Sequence, residues 1–380
     1  MSEPNEIQRI MKTRKTDGNT TNTYRIVFTA AAILTSLCVF LFFLRFSTVN
    51  ENYRASFSAM LDGTAHRPFV MRVLIPWLTT FTSMIFPLEI RNQINEAIAN
   101  SRIFSVILSL YRVSADQGFE AVVSLFWQFL SLPGYYFSFR FLLLKNFDVS
   151  EKKAGRLTLL STFGLLPLMF FGYIYDLPQL FLCTLAFAAI AANRTILYFI
   201  VFALAVLNKE TAVVLAIPSI LLFWNPFMPS LLKAVKGAGY QLLIFLAIRI
   251  PLIVHFRKNP GMVVEPHLRT HIEGMIDYPL YGIAVTALFL CLTVLFLYKW
   301  KQKPALVNLG LVSGAILMVL FLLGGMPQEF RVFYEVIGVV LISILQTFSM
   351  RWKLALETKA VNTEEFIRSV KQLFSKKLIQ

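Results

Sequence analysis

Long apolar segments without charges constrain this chain more than any other feature of its sequence. IVFTAAAILTSLCVFLFFL (26–44) and LYGIAVTALFLCLTVLFL (280–297) each run for about 18 residues or more, which is typical of a helix that crosses a bilayer. In the whole chain, 57% of residues are hydrophobic and 15% are charged, whereas soluble domains have about 45–50% and about 25%. We therefore predict an all-α, polytopic transmembrane helical bundle.

Further apolar segments extend this prediction to ten or twelve spans. The region 45–118 is mixed in character, and its two weaker segments, 69–87 and 97–111, account for the two alternative numbers. We expect this region to form a long first external loop. The other predicted spans are 119–144, 157–175, 177–193, 195–207, 211–224, 238–255, 279–298, 305–323 and 331–350.

The positions of the basic residues predict the orientation of the chain. The formal net charge is +15, which in a soluble protein would suggest nucleic acid as a partner. In a membrane protein, lysine and arginine instead accumulate in cytoplasmic loops. Most of the 36 lysines and arginines fall on the side of the N-terminus in the predicted alternation. Both termini are therefore predicted to be cytoplasmic, and no nucleic-acid partner is expected.

This topology divides the chain into three regions. They are a basic cytoplasmic leader (1–25), a transmembrane catalytic or binding domain (26–350) and a basic cytoplasmic tail (351–380). The tail has apolar residues at helical spacing with lysines between them. This pattern is typical of an amphipathic helix that rests on anionic lipid. A solvated basic tail is the alternative.

The segment AHRPFVMRVLIP (65–76) places two permanent cations in an apolar context. Pro68 predicts the first turn of a helix, so Arg67 would lie near the N-cap and Arg72 inside the helix. A helix N-terminus already carries partial positive charge, and arginine is suited to bidentate phosphate binding. One interpretation is that both arginines bind an anion. The other is that Arg67 extends to lipid headgroups and Arg72 pairs with a carboxylate of the chain. Candidates for that carboxylate are Asp62, Asp176 and Glu335.

Other unusual polar residues fall at the external ends of predicted spans. Charges at membrane depth are expensive and are functional candidates by default. Their convergence on one face predicts an active site or a binding cavity at the external surface. These residues are Glu51, Asp62 and His66 in the first loop, Asp176 in YDLP, Lys209 and Glu210 in NKET, and Glu329, Arg331 and Glu335 in EFRVFYE.

Each of these clusters also has a structural interpretation. Asp176 could cap the next helix, because Pro178 would stand in its first turn. Asp62 and Gly63 could form an ordinary turn. Two sets of neighbours could be ion pairs that tie helices together: Lys209 with Glu210, and Glu329 with Arg331.

Histidines in the loop 255–279 raise the question of a metal. His267 and His271 stand four residues apart with carboxylates nearby, a spacing that can place two imidazoles on one ion. Pro266 precedes them, so the segment need not be helical. We therefore favour a solvated loop and predict no cofactor, with a divalent metal as the alternative.

The architecture and four motifs resemble the polytopic glycosyltransferases of the GT-C fold. The motifs are RPFVMRVLIP (67–76), YDLP (175–178), NKET (208–211) and EFRVFYE (329–335), and the resemblance covers most of the chain. It implies that the long first external loop contains membrane-parallel or re-entrant helices. It also implies transfer of a sugar from a polyprenyl-phosphate donor to a glycan or lipid acceptor at the external membrane face. The acidic pair that marks the first loop of the family is absent here, where only the single acids Glu51 and Asp62 stand.

The resemblance also implies roles for the unusual residues. A carboxylate would deprotonate the acceptor hydroxyl while cations stabilise the departing phosphate. The base is expected first at Asp62, then at Asp176, Glu210 and Glu51. The phosphate is expected at Arg67, Arg72 and Arg331, with Lys209 next, and the further site candidates are His66, Glu329 and Glu335. Because arginines can neutralise a monophosphate leaving group, no metal is required.

Other classes of function are alternatives. A transporter or flippase of a lipid-linked or anionic solute would use the same charges, but it predicts charges at mid-depth, whereas here they crowd one end. An assembly subunit would need no convergent polar cavity. A membrane acyl- or phosphotransferase would use a His-Asp or a Ser-His pair, and His66 is the only histidine near the motifs. We expect a multi-pass protein of the bacterial inner (plasma) membrane that contacts membrane lipids.

Overall fold

A computed structural model describes residues 4–49, 51–111, 113–114, 117–224, 231–326, 329–352 and 356–377. These residues are predominantly helical, which confirms the predicted predominance of α-helix. The strands of the described part are β1 (Phe147–Asp148) and β2 (Glu357–Thr358), which pair antiparallel with Phe147 opposite Thr358. The two strands join segments that are far apart in the chain.

The helices vary widely in length. In the first half they are α1 (Pro4–Phe46), α2 (Phe57–Leu61), α3 (Leu74–Ile85), α4 (Leu88–Asn100), α5 (Arg102–Tyr111), α6 (Gly118–Asn146), α7 (Glu151–Leu160), α8 (Thr162–Leu165) and α9 (Asp176–Ala191). In the second half they are α10 (Thr195–Asn208), α11 (Ile220–Phe223), α12 (Leu231–His255), α13 (Leu268–Asp277), α14 (Pro279–Leu297), α15 (Ala305–Gly324), α16 (Ile337–Trp352) and α17 (Thr363–Lys377). Described 3-10 helices cover Tyr53–Ala55, Phe69–Met71, Leu166–Leu168, Glu210–Ala216, Trp300–Gln302 and Phe330–Glu335.

Three helices are long and apolar enough to cross a membrane: Thr23–Phe46 within α1, Leu232–His255 within α12, and α15. The prediction of ten or twelve spans therefore exceeds the number of described helices that meet this length and composition. Two predicted spans, 157–175 and 211–224, are each divided into short α-helical and 3-10 helical pieces. Pro167 and Pro218 lie in these two spans, and proline interrupts a helix because it lacks a backbone N–H.

Helices α6 and α9 form the centre of the bundle. They pack along each other, α9 also packs against α10, and α1 and α3 pack against α6. Large aromatic side chains fill this centre, and Tyr135, Tyr136, Phe139 and Phe187 are fully buried. Because interiors are close-packed, the α6–α9 contact tolerates little added volume.

Gly134 permits the close approach of α6 to α9. A Cβ at Gly134 would lie 2.6 Å from the ring of Phe181, so Gly134→Ala should lower the free energy of unfolding by about 1–3 kcal/mol. Gly239 on α12 is the matched control, because a Cβ there would meet no described atom within 4 Å. Gly239→Ala should be neutral or raise the free energy of unfolding by up to about 1 kcal/mol. Equilibrium unfolding in detergent, followed by circular dichroism, compares the two; equal effects would contradict the packing argument.

Contacts between distant segments define two ends of the bundle. At one end, Arg25 of α1 pairs with Glu151 of α7 at 3.2 Å, close to the place where β1 pairs with β2. We call this the strand end. At the other end, the backbone N–H of Thr48 donates to the carbonyl of Gly172 at 3.0 Å. We call this the charged end, because the ion pairs described below lie there.

The tail helix α17 packs against the strand end. The indole N–H of Trp224 donates to the hydroxyl of Ser369 at 2.9 Å. The rings of Trp224 and Phe366 meet edge-on with centroids 5.6 Å apart. These contacts hold the tail against the bundle at Trp224, which follows α11.

Candidate functional site

Arg72 lies between two helices and not inside one. The continuous helix predicted from the start of this motif is wrong, because a 3-10 helix covers Phe69–Met71 and α3 begins later, at Leu74. Arg72 itself has φ −97° and ψ 70°, which is not helical. Its guanidinium donates to Glu210 at 2.7 Å and to the hydroxyl of Tyr175. Arg72 therefore forms its ion pair with Glu210 from the non-helical residues between the 3-10 helix and α3.

Glu210 also binds a second cation, which sequence analysis missed. Arg249 of α12 donates to Glu210 at 3.4 Å and to the carbonyl of Met71 at 3.0 Å. Arg249 is the single cation in the apolar segment LAIRIPLIV (246–254). Because a charge in such a segment is energetically costly, its presence could have marked Arg249 as a candidate. The carboxylate partner of Arg72 is therefore Glu210, and not one of the three carboxylates named from the sequence.

Asp176 and Arg331 form a second buried ion pair. Arg331 donates to Asp176 at 3.1 Å and to Glu329 at 2.6 Å. Asp176 is fully buried and also accepts from the backbone N–H of Tyr173 at 2.7 Å. The guanidinium of Arg331 lies 4.1 Å from the centroid of the Tyr173 ring. Asp176 thus fixes the turn before α9 and also holds the segment that follows α15.

Lys209 and Glu335 form a third pair, with an N–O distance of 3.0 Å. Lys209 therefore pairs across the bundle, whereas its sequence neighbour Glu210 pairs with arginines. The other neighbour pair considered from the sequence, Glu329 with Arg331, is present. Two neutral side chains also donate to Glu335: Thr211, and Gln179 at 3.5 Å.

Together these residues form what we call the buried charge network. It contains four cations, Arg72, Arg249, Arg331 and Lys209, and four carboxylates, Glu210, Asp176, Glu329 and Glu335. The hydroxyl of Tyr175 links two pairs, because it accepts from Arg331 at 3.2 Å and from Arg72. When all eight groups are ionised, the network has no net charge. Its arginines therefore need no external anion for neutrality.

A cleft of about 390 Å³ opens beside this network. Two carboxylates, Glu51 and Glu329, line it, and Tyr53, Phe171 and Tyr173 contribute aromatic walls. Glu329 connects the cleft to Arg331 of the network. A concave site with a few polar groups and aromatic walls is the usual form of a small-molecule site.

The remaining candidates of the first loop lie outside the lining of the cleft. Asp62 is exposed at the end of α2, next to Gly63 with φ +69°, so it stands in a turn. Arg67 donates to the carbonyl of Gly261 at 2.6 Å, and no carboxylate pairs with it among the described residues. His66 accepts from Arg54 at 3.4 Å, and its ring lies edge-on to Tyr53 of the cleft, with centroids 5.5 Å apart.

The histidines considered as metal ligands have other contacts. His271 is buried on α13, and its Nε2 lies 2.8 Å from the carbonyl of Gly325. His267 precedes α13 and lies 3.6 Å from Glu265, which in turn pairs with Arg54. Within the described part of the chain, no group of three or more His, Cys, Asp and Glu side chains could hold a metal ion.

Glu329 should make the stability of the fold depend on pH. Burial disfavours its ionised form, but the charge and hydrogen bond of Arg331 outweigh burial and hold the pKa of Glu329 below its ordinary value of 4.5. A carboxyl with a lowered pKa stabilises the folded state above its unfolded pKa, and this contribution is lost as pH falls through the folded pKa. We therefore expect the free energy of unfolding to decrease below about pH 4.5.

The variant Glu329→Gln should lose part of this pH dependence. Unfolding in detergent, measured from about pH 7 to about pH 3, gives the slope for each protein. Glu89→Gln is the control, because Glu89 is exposed on α4 and its replacement should leave the slope unchanged. Identical slopes for the original chain and Glu329→Gln would contradict the assignment.

In the folded chain, residues from separate sequence motifs form ion pairs with one another and lie beside one cleft. The sequence pointed to seven residues of the buried charge network and to Glu51 of the cleft. Arg249 and the aromatic residues of the site were not among its candidates, and only Arg249 carried a recognisable signal. Those aromatic residues are Tyr53, Phe171, Tyr173 and Tyr175. No family model, curated protein or solved structure matches the chain.

Proposed function

We propose that this chain is a membrane glycosyltransferase of the GT-C type that uses a polyprenyl-phosphate-linked sugar at the charged end. One observation carries the proposal: charged motifs spread over residues 51–335 converge beside a cleft that two carboxylates line. In this proposal the charged end faces outward and both termini are cytoplasmic. Shorter apolar helices then complete the ten or twelve spans, and the membrane is the bacterial inner membrane.

Glu51 is the best candidate for the general base. It lines the cleft, whereas the other three candidate bases, Asp62, Asp176 and Glu210, do not. In the reaction, Glu51 takes the proton from the acceptor hydroxyl as that oxygen bonds to the anomeric carbon. The bond from this carbon to the phosphate oxygen breaks, and the polyprenyl phosphate leaves.

Two arginines are suited to the departing phosphate. Arg67 bonds to a backbone carbonyl, and it directly follows His66, which packs on Tyr53 of the cleft. Arg331 touches Glu329 in the wall of the cleft, so a phosphate that displaced Glu329 would meet its guanidinium. Both groups would stabilise the negative charge that develops on the leaving oxygen. In this mechanism no metal ion is needed.

The direct test is an activity assay on the purified chain in lipid nanodiscs. Polyprenyl-monophosphate hexoses are supplied with a membrane glycolipid extract, and released polyprenyl phosphate is quantified by mass spectrometry. Release that requires the acceptor extract supports the proposal. The same donors in proteoliposomes test the transporter alternative: movement of intact donor between leaflets without release of polyprenyl phosphate would overturn glycosyl transfer.

A further inference from the structure

A second pocket opens at the strand end, opposite the cleft. Its volume is about 560 Å³, and it lies between the turn after α9, helix α11 and the start of α12. A smaller cavity of about 150 Å³ shares Leu221 and Trp224 with it and reaches Asn146, which directly precedes β1. The proposed glycosyl transfer does not use this pocket, so its purpose is a separate question.

The walls of the strand-end pocket combine apolar and basic residues. Leu221, Leu222 and Phe223 give it a partly buried apolar side. Lys233 and Lys236 stand three residues apart on α12, and both are exposed. Among the described residues that line the pocket there is no aspartate or glutamate. The charge that complements this lining is negative.

The pocket lies beside the start of α12, the end at which a membrane-spanning helix would meet lipid headgroups. Helix α12 is long and apolar enough to cross a membrane, and beyond the two lysines it exposes apolar residues such as Leu242 and Leu243 to its surroundings. Trp224 and Tyr240 also line the pocket. Tryptophan and tyrosine are enriched where a protein crosses the membrane–water interface, and lysine side chains reach toward that interface.

We propose that the strand-end pocket binds the phosphate-bearing headgroup of an anionic phospholipid. The lysines attract the phosphate, and the apolar side contacts the glycerol and the first methylenes of the acyl chains. A free phosphate ion would use only the lysines, whereas a phospholipid uses both parts of the lining. Contacts of Trp224 with Ser369 and Phe366 of α17 hold one wall in place before the lipid arrives.

Native mass spectrometry of the whole chain in detergent tests this binding. The protein is titrated with phosphatidylglycerol and, separately, with phosphatidylcholine of the same acyl chains. We expect tighter binding of phosphatidylglycerol. Lys233→Gln and Lys236→Gln should each weaken it by about fivefold, and the two together by more. Lys233→Arg with Lys236→Arg should retain it, because the positive charges remain.

Lys299 and Lys301 supply the matched control. Both are exposed on the connection from α14 to α15 at the strand end, and neither lines the pocket. The double variant Lys299→Gln/Lys301→Gln makes the same change in net charge and should leave phosphatidylglycerol binding within about twofold. An equal loss in both double variants would overturn the proposal. So would equal binding of the two lipids, or complete displacement of phosphatidylglycerol by an equal concentration of glycerol 3-phosphate.

Discussion

Arg331→Met should lower the free energy of unfolding by about 3–5 kcal/mol, because it removes one partner of a buried ion pair. The side chain of Arg331 is only 4% exposed, and that of Asp176 is fully buried. Without the guanidinium, Asp176 and Glu329 lose the cation that both contact, and a buried charge without its partner is strongly destabilising. Equilibrium unfolding of the purified protein in detergent, followed by circular dichroism, measures this loss.

Arg269 provides the matched control for this substitution. It also pairs with a carboxylate, Glu273, at 2.6 Å, but its side chain is 90% exposed. Arg269→Met should therefore change the free energy of unfolding by no more than about 0.5 kcal/mol. The double variant Arg331→Met/Asp176→Asn should regain part of the loss, since it removes the buried negative charge. If Arg331→Met and Arg269→Met lowered the free energy of unfolding by similar amounts, the claim that burial makes the Arg331 ion pair more important for stability would be wrong.

The apolar segments of the sequence correctly indicated where helices lie, but they did not indicate where each helix ends. The segments 26–44 and 305–323 lie within α1 and α15, two of the helices that are long enough to cross a membrane. The segment 157–175 is equally apolar in appearance but contains α8 and a 3-10 helix. Hydrophobicity indicates that a segment is buried or in lipid, and the local backbone geometry decides where the helix stops.

Ion-pair partners could not be predicted in the same way. The sequence predicted that charges converge at one end, but Arg72 and its partner Glu210 are 138 residues apart, and Asp176 and Arg331 are 155 apart. Which of the converging charges meet depends on the packing and rotation of whole helices. The sequence ranked Asp176 among several possible partners of Arg72, whereas the packing places Tyr175 between Arg72 and Arg331.

The order of the candidate bases also depends on the folded backbone, and it differs from the order expected from the sequence. From the sequence, Asp62 ranked first and Glu51 last, although both stand in the first loop, where the resemblance to GT-C enzymes implies an acidic residue. The chain around Gly63 forms a turn that leaves Asp62 exposed, while the turn before Tyr53 brings Glu51 to the wall of the cleft. The local sequence identifies Asp62 and Glu51 equally as acidic residues of a loop. The folded backbone is needed to show that Glu51 lines the cleft and that Asp62 does not.

Glu51→Gln should lower kcat for glycosyl transfer by about 10²–10⁴-fold, because it removes the proposed general base. Glutamine keeps the size and polarity of the side chain but cannot accept the proton from the acceptor hydroxyl. The KM for the donor should change little, since the donor phosphate is bound by arginines in this proposal. Release of polyprenyl phosphate in nanodiscs, measured over a range of donor concentrations, separates kcat from KM.

Asp62→Asn is the decisive comparison, since it makes the same chemical change at the carboxylate that the sequence alone would favour. Asp62 does not line the cleft, so kcat for Asp62→Asn should stay within about twofold of the original value. Normal unfolding of both variants shows that a loss of activity is not a loss of structure. A large decrease with Asp62→Asn and none with Glu51→Gln would move the base to Asp62 and exclude the cleft as the reaction site. If neither variant lost activity, both carboxylates would be excluded as the base.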